Sequence, residues 1–122
     1  MVVVGDINSS PDDELIIVPQ PTPPGFPPVI VPPYTQLVES GYTDAWTLRP
    51  GDLPGYTCCQ EDDLSNRGSE HGERIDTIFS LDSPSQVKKA RVLGSRVADK
   101  TPPPGIGLWP SDHGVVAAEL WY

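Results

Sequence analysis

The proline-rich stretch near the N-terminus limits what this chain can fold into. Most of the 16 prolines lie between residues 9 and 33, where a fixed φ and missing N–H groups oppose regular helix and central strand. We therefore predict a surface loop of extended or polyproline character, richest in proline at 19–33. Its PTPP, PPGFPP and VPPY segments could bind partners as polyproline ligands, so a Pro-rich interaction module is one alternative function.

The remaining sequence predicts one α+β domain built from short elements. Residues 34–41 favour a helix, with Leu37 and Val38 facing the core and Gly41 as C-cap. The predicted strands follow one another without crossover helices of ordinary length, which favours a mostly antiparallel sheet. These strands, chosen for β-branched or alternating apolar residues, are 1–8, 55–60, 74–80, 87–93 and 111–122. Residues 61–73 and 101–110 are predicted loops.

Charge and cysteine content exclude several classes of protein. The formal net charge is −9, from 17 acidic and 8 basic residues, which argues against a protein that follows the backbone of long duplex DNA. Cys58 and Cys59 are adjacent, so a bridge between them would be strained, and with His71 and His113 they lack the spacing of a structural zinc site. No apolar run reaches membrane-spanning length, and no basic region of a signal peptide precedes Val2. The compartment stays open.

Asp6 and Asn8 form the first candidate site pair. They stand two residues apart at the end of an apolar strand, and the strand period of two predicts that both side chains share one face. A carboxylate beside an amide could orient a water molecule and hold a phosphoryl oxygen. A simple turn is the alternative interpretation, because the sequence from Gly5 to Pro11 is favourable for turns.

The other candidates lie in the C-terminal half. Asp76 stands among apolar residues and needs a partner, which is either a functional group or Arg74 in a surface ion pair. Asp112 and His113 are predicted to open the last strand, where histidine suits acid–base chemistry near neutral pH. The alternative is an exposed Ser-Asp pair that begins a strand beside an ordinary histidine.

Taken in order, five motifs resemble the C-terminal half of the endonuclease/exonuclease/phosphatase superfamily, which is also called deoxyribonuclease I-like. The resemblance covers residues 1–122, with the Pro-rich loop at 19–33 as the main departure. It implies part of a four-layered α/β sandwich with mostly antiparallel sheets, and a hydrolase that cleaves phosphoester bonds with Mg²⁺ or Mn²⁺. The motifs are VVVGDIN, SGYTDAW, GYTCCQ, NRGSEHGERIDTIF and LWPSDHGVVAAEL.

The resemblance also implies a role for each candidate. Asp6 would orient or deprotonate the attacking water and contribute to the metal site, and Asn8 would hold a non-bridging phosphate oxygen. His113 would stabilise the charge developing on the phosphate, with Asp76 hydrogen-bonded to its ring. Asp112 would bind the metal. Such an arrangement provides the positioning and charge neutralisation that phosphoryl transfer needs.

One part of the family pattern is missing from this sequence. The family's N-terminal half supplies an early Asn and a metal-binding Glu, usually in a Gln-Glu pair, and here only Gln60 precedes a Glu. We therefore expect an incomplete phosphodiesterase, phosphatase or nuclease, with weak metal affinity and marginal stability, that a missing N-terminal half or self-association would complete. A small phosphoester is the expected substrate. A catalytically inactive remnant of the same fold is the alternative.

Overall fold

The computed structural model describes residues 1–102 and 107–122 and shows a mixed α+β fold with few helices. The one α-helix is α1, Pro33–Glu39, and short 3₁₀ helices cover Ala45–Leu48 and Val97–Asp99. All strand pairs are antiparallel, as the sequence predicts. The strands are β1 (Val2–Asp6), β2 (Ile16–Ile17), β3 (Val29–Ile30), β4 (Thr43–Asp44), β5 (Asp76–Ser80), β6 (Gln86–Leu93) and β7 (Val115–Trp121).

Strand β5 is the centre of the main sheet, with β1 on one side and β4 on the other. Both faces of β5 are covered, since Ile78 and Phe79, whose side chains alternate along the strand, are both buried. Phe79 meets the ring of Tyr34 edge-on at 5.3 Å, which attaches α1 to this strand. The central strand is therefore held by neighbours on both edges and by cover on both faces. This packing also positions Asp76 at its beginning.

Strands β6 and β7 form a second, two-stranded antiparallel ribbon with an irregularity between Val87 and Lys89. The apolar core lies between this ribbon, β5 and the first 3₁₀ helix. Its buried members are Ala45, Ile78 and Val87, and the partly buried residues packed against them are Ala90, Val116, Ala118 and Leu120. This small core joins the strand that carries Asp76 to the strand that follows His113.

The Pro-rich segment is a loop with a short antiparallel pairing inside it. The sequence predicted no central strand here, and the pair formed by β2 and β3 is a separate two-stranded sheet. Ile16 and Ile17 are exposed, so the pairing adds little to the core. The segment closes at its base, where the backbone N–H of Tyr34 donates to the hydroxyl of Ser9 at 3.1 Å.

Several local predictions need correction. Helix α1 ends at Glu39 with Gly41 beyond its C-cap at φ 86°, but Val38 is exposed and Tyr34 is the buried residue of the helix. Residues 55–60 form no strand and contribute only an isolated bridge between Cys58 and Glu73, because backbone hydrogen bonds to Glu73 and from Gly72 and Gly114 fold this segment around the loop.

Two further points concern the C-terminal region. Strand β7 begins at Val115, so Asp112 and His113 precede the strand instead of opening it. The predicted loop 101–110 lies in part outside the described residues. Among the residues that the structure describes, no helix is both long enough and apolar enough to cross a membrane.

Candidate active site

Asp76 and His113 form the centre of the candidate site. The Nδ1 atom of His113 lies 2.8 Å from Oδ2 of Asp76, although 37 residues separate them in the sequence. Both side chains are mostly covered but still reach solvent, with 26% of the His113 side chain and 20% of the Asp76 side chain exposed. The hydrogen bond that the resemblance implies is therefore present, and it fixes the imidazole while leaving Nε2 toward the surface.

Asp6 stands directly across the sheet from Asp76. The β1–β5 register pairs the two residues, and the adjacent hydrogen bond from Ile7 N to Ile75 O, at 3.0 Å, makes them a non-hydrogen-bonded pair, whose side chains approach most closely. Opposed carboxylates repel each other. A cation beside them relieves this repulsion, and protonated His113 is such a cation.

Asn8 lies beside Asp6, but not through the strand alternation that the sequence suggested. Strand β1 ends at Asp6, and Asn8 adopts a left-handed conformation at φ 48°. Its backbone N–H donates to Oδ1 of Asp6 at 2.8 Å, and its amide Nδ2 lies 3.5 Å from Oδ2. Local turn chemistry therefore orients the Asp6 carboxylate and leaves the Asn8 side chain exposed next to it.

Asp112 contributes to the electrostatics of His113. Its Oδ2 atom is 4.0 Å from His113 Nε2, and its Oδ1 accepts a hydrogen bond from the Ser111 hydroxyl at 3.1 Å. Burial lowers the pKa of His113, but the hydrogen bond to Asp76 and the charges of Asp76, Asp112 and Asp6 outweigh burial and raise this pKa above its ordinary value. These neighbouring carboxylates therefore favour the charged form of the ring more than water does.

The predicted loop 61–73, together with Gln60 before it, contacts the backbone next to His113. Gln60 accepts from Asn66 Nδ2 at 2.7 Å and from the backbone N–H of Glu70 at 3.0 Å, and its own backbone N–H donates to Asp112 O at 2.9 Å. His71 Nε2 lies 2.9 Å from Gln60 Nε2 and 3.2 Å from Asp112 O. This polar loop thereby holds the backbone just before His113.

The buried hydroxyl of Thr57 holds the backbone at Asp76, the hydrogen-bond partner of His113. It accepts hydrogen bonds from the backbone N–H groups of Ile75 at 3.3 Å and Asp76 at 3.1 Å. Sequence reasoning missed Thr57, Gln60 and His71 as supporting residues. Nothing in their local sequence marks them, because their partners come from distant parts of the chain.

Arg74 does not pair with Asp76, so the surface ion pair considered as an alternative is wrong. Its guanidinium instead bonds Asp44, and both side chains are buried. Asp44 also accepts from the Tyr34 hydroxyl at 3.0 Å and from the backbone N–H of Trp46 at 2.9 Å. Burial, together with the charge of Asp44, raises the pKa of Tyr34 to about 12. Arg74 therefore stabilises the fold beneath the site, and Asp76 remains available to His113.

The cysteines correct one sequence-based expectation and also lie close to His113. Cys58 and Cys59 are joined as a disulfide between adjacent residues, although a bridge was not expected. The Sγ atom of Cys59 also lies 3.8 Å from His113 Nε2. Within residues 1–102 and 107–122, the only set of three acidic, cysteine or histidine side chains with converging ligand atoms is Cys58, Cys59 and His113.

A surface depression of about 190 Å³ opens beside the pair. Its volume is below the range typical of pockets for drug-sized ligands, so it can enclose only a small group. A larger hollow of about 330 Å³ lies beside Arg74 and Tyr56, but Arg74 already forms a salt bridge with Asp44. The smaller depression is lined by Val4, Gly5, Asp76, Thr77, Ser111, His113, Gly114, Val115 and Val116.

Comparisons with known protein families, with characterised proteins and with solved structures found no match. The assignment of function therefore depends on the site itself.

The predicted Mg²⁺ ligands are Asp6 and Asp112. Carboxylate oxygens are the ligands that Mg²⁺ prefers, and this ion commonly binds one or two carboxylates while keeping several waters. Both side chains are exposed, so each carboxylate is accessible to a hydrated Mg²⁺ or Mn²⁺ ion. Neither belongs to a converging set of three acidic, cysteine or histidine side chains in the part of the chain that the structure describes, which predicts weak affinity.

Proposed function

We propose that this chain carries a metal-assisted phosphoester hydrolase site of the endonuclease/exonuclease/phosphatase type. On this proposal its antiparallel sheets belong to one part of that family's four-layered sandwich. The observation that carries the proposal is the hydrogen bond between Asp76 and His113, with Asp6 opposite Asp76 in the sheet. Two residues far apart in sequence have the relation that the motif order implies.

Each side chain has a definite task in this proposal. Asp76 holds His113 Nδ1, so that a proton on Nε2 points outward and donates to a phosphoryl oxygen. The nearby carboxylates raise the pKa of His113 and so favour its cationic form, and a cation at this position stabilises negative charge as it develops on the phosphate. Asp6 accepts a proton from the attacking water or orients it, and Asn8 donates its amide N–H to a non-bridging oxygen.

Asp6 and Asp112 would hold Mg²⁺ or Mn²⁺, which supplies charge neutralisation and activates water when bound. The net charge of −9 opposes long polyanions, because each phosphate would approach a negative surface. We therefore expect a small phosphoester, bound through one phosphoryl group, as the substrate.

The test is hydrolysis of a p-nitrophenyl phosphodiester and of p-nitrophenyl phosphate by the purified chain, with Mg²⁺ and with EDTA. His113→Gln and Asp76→Asn should each lower the rate by about 10²- to 10⁴-fold, as expected for loss of proton transfer or charge stabilisation. Asp82→Asn is the matched control, because Asp82 is exposed and contacts only the N-terminal amine as an ion pair. Equal rates in all three variants would refute the assignment.

Protein concentration adds a second variable to the same assay. A rate per chain that rises with concentration would show that self-association completes the site. The alternative is a catalytically inactive remnant of the same fold, and the absence from this sequence of the family's early Gln-Glu pair favours it. Wild-type protein that binds Mg²⁺ but shows no hydrolysis above the Asp76→Asn background, at any concentration, would support this alternative.

A further inference from the structure

The two cysteines and His113 form a cluster that the proposed hydrolysis does not use. Cys59 Sγ lies 3.8 Å from His113 Nε2, and these two atoms and Cys58 Sγ all lie within 4.8 Å of one another. In a tetrahedral zinc site with Zn–S near 2.3 Å and Zn–N near 2.1 Å, bound sulfur and nitrogen atoms are roughly 3.6 Å apart. The observed separation of sulfur and nitrogen is close to that of two ligands of one ion.

The backbone around the cluster holds these side chains in place. Cys58 exchanges hydrogen bonds with Glu73, and Gly114, directly after His113, donates to Thr57 O at 2.7 Å. The two segments that carry the ligands are thus joined by backbone bonds on both sides. After reduction the two sulfur atoms must separate from bonding distance to roughly 3.8 Å to bind one tetrahedral ion, and these backbone bonds confine that change to residues 58 and 59.

The hydrogen bond from His113 to Asp76 is also compatible with a metal site. Metal-binding histidines almost always use their other ring nitrogen to donate to a carboxylate or carbonyl, which fixes the ring and makes it a better ligand. His113 has this arrangement, with Nδ1 on Asp76 and Nε2 facing the sulfurs. The same hydrogen bond thus suits phosphoester chemistry and metal binding equally well.

The ligand types decide which ion fits. Thiolates with an imidazole select Zn²⁺ or Cu⁺, whereas Mg²⁺ prefers oxygen. A disulfide provides no thiolate, so the bonded cysteines must first be reduced. An external dithiol supplies the two electrons and two protons: the Cys58–Cys59 bond breaks, two thiols form, and the dithiol leaves as a cyclic disulfide. Zn²⁺ then displaces the two thiol protons.

We propose that the reduced chain binds one Zn²⁺ ion through Cys58, Cys59 and His113, with a fourth position open to water, and that this ion blocks the active site. The inhibitory part depends on the proposed hydrolase function, because Zn²⁺ occupies the Nε2 atom that would face the phosphate. The binding part depends only on the cluster. Oxidation of the cysteines then releases Zn²⁺ and frees His113 for catalysis. The redox state of the cysteines and Zn²⁺ together therefore control the proposed hydrolase activity.

The binding test uses Co²⁺ as a spectroscopic probe for the zinc position. Protein treated with dithiothreitol and freed of it should bind one Co²⁺ per chain with thiolate-to-cobalt charge-transfer absorption, and one equivalent of Zn²⁺ should remove that absorption. The oxidised wild-type protein, which has the same sequence, should show none. Reduced protein that is folded by circular dichroism yet shows no such absorption overturns the proposal.

Variants identify the ligands. Cys59→Ser and His113→Gln should abolish the charge-transfer band or move it to much weaker affinity, and Cys59 is exposed, so its replacement spares the core. Asp76→Asn should lower the affinity by about 10- to 100-fold, as for loss of an outer partner of a histidine ligand. Asp82→Asn should bind as the wild type does. An unchanged band in Cys59→Ser would also overturn the proposal.

An activity arm separates the two proposals. If the wild type hydrolyses the phosphodiester, equimolar Zn²⁺ should inhibit the reduced chain at least about tenfold and leave the oxidised chain unaffected. Equal inhibition of both forms would refute the regulatory role. If no hydrolysis occurs in any form, the proposed function fails, while the cobalt spectrum still decides whether the zinc site exists.

Discussion

Arg74 and Asp76 are two residues apart, yet their ion pairs differ in almost every respect. Arg74 bonds Asp44 inside the protein, with side-chain exposures of 8% and 1%, whereas Asp76 bonds His113 where 20% and 26% of the side chains are exposed. The first pair is surrounded by further partners from Tyr34 and Trp46. In the second pair, His113 Nε2 has only looser neighbours, with Cys59 Sγ at 3.8 Å and Asp112 Oδ2 at 4.0 Å. The comparison shows that one charge pair is enclosed by the fold, whereas the next pair stays accessible to solvent.

The largest effect is expected from breaking the buried pair. Arg74→Met leaves the Asp44 charge buried, so the free energy of unfolding should fall by about 3–5 kcal/mol. Urea unfolding followed by tryptophan fluorescence measures this. The double variant Arg74→Met with Asp44→Asn should recover part of the loss, because no uncompensated charge remains. A single variant as stable as the wild type would show that the pair is not structural.

Asp76→Asn should have a much smaller effect on stability. The partly exposed pair with His113 is screened by solvent, and Asn can still accept a hydrogen bond from Nδ1, so we expect a loss of about 1 kcal/mol or less. The same urea titration measures it, with Asp82→Asn as the control. A loss as large as that of Arg74→Met would mean that both pairs serve the fold, and the contrast between them would disappear.

The smallest expected effect is on the pH dependence of stability, to which His113 and His71 should contribute with opposite sign. Because the folded pKa of His113 is raised, its contribution to stability is complete below about pH 6.5 and is lost as the pH rises through the folded value. Burial lowers the pKa of His71, so its contribution is lost as the pH falls below about 6.5. Unfolding midpoints from pH 5 to 8.5 measure both.

Matched variants assign the two slopes. His113→Gln should remove the decline above pH 6.5, and His71→Gln should remove the decline below it. If His113→Gln leaves the upper slope intact, its contact with Asp76 is not maintained in solution. Across this pH range, each histidine should change the free energy of unfolding by less than about 1 kcal/mol. For His113 the reason is that its side chain reaches solvent.

Local sequence patterns predicted the elements that depend on local chemistry. The valines of β1, the alternation in β5 and the helix before Gly41 all gave correct element types, because β-branched residues and a C-terminal glycine act within a few residues. The pairing of Asp76 with His113 came from the order of motifs in the resemblance. The mixed antiparallel architecture followed from strand spacing, and the wider sandwich stays a prediction.

Other features depend on contacts between distant segments, which no local pattern contains. The partner of Arg74 is 30 residues away and the partner of Cys59 is 54 away. Strand alternation therefore suggested the wrong partner for Arg74, and cysteine spacing alone suggested no metal site. Asn8 departs from the alternation because the Asp6 carboxylate captures its backbone N–H and turns the chain.

The hydrogen bond between Ser9 and Tyr34 has an evolutionary consequence. It brings together the two ends of the Pro-rich segment, so the residues between them leave and re-enter the domain at one point. Loop closure depends weakly on length, with each doubling costing about 0.6 kcal/mol, and the Asp76–His113 pair lies on other elements. A gene encoding this protein can therefore gain or lose sequence at this position, and acquire a new binding segment there, without altering that pair.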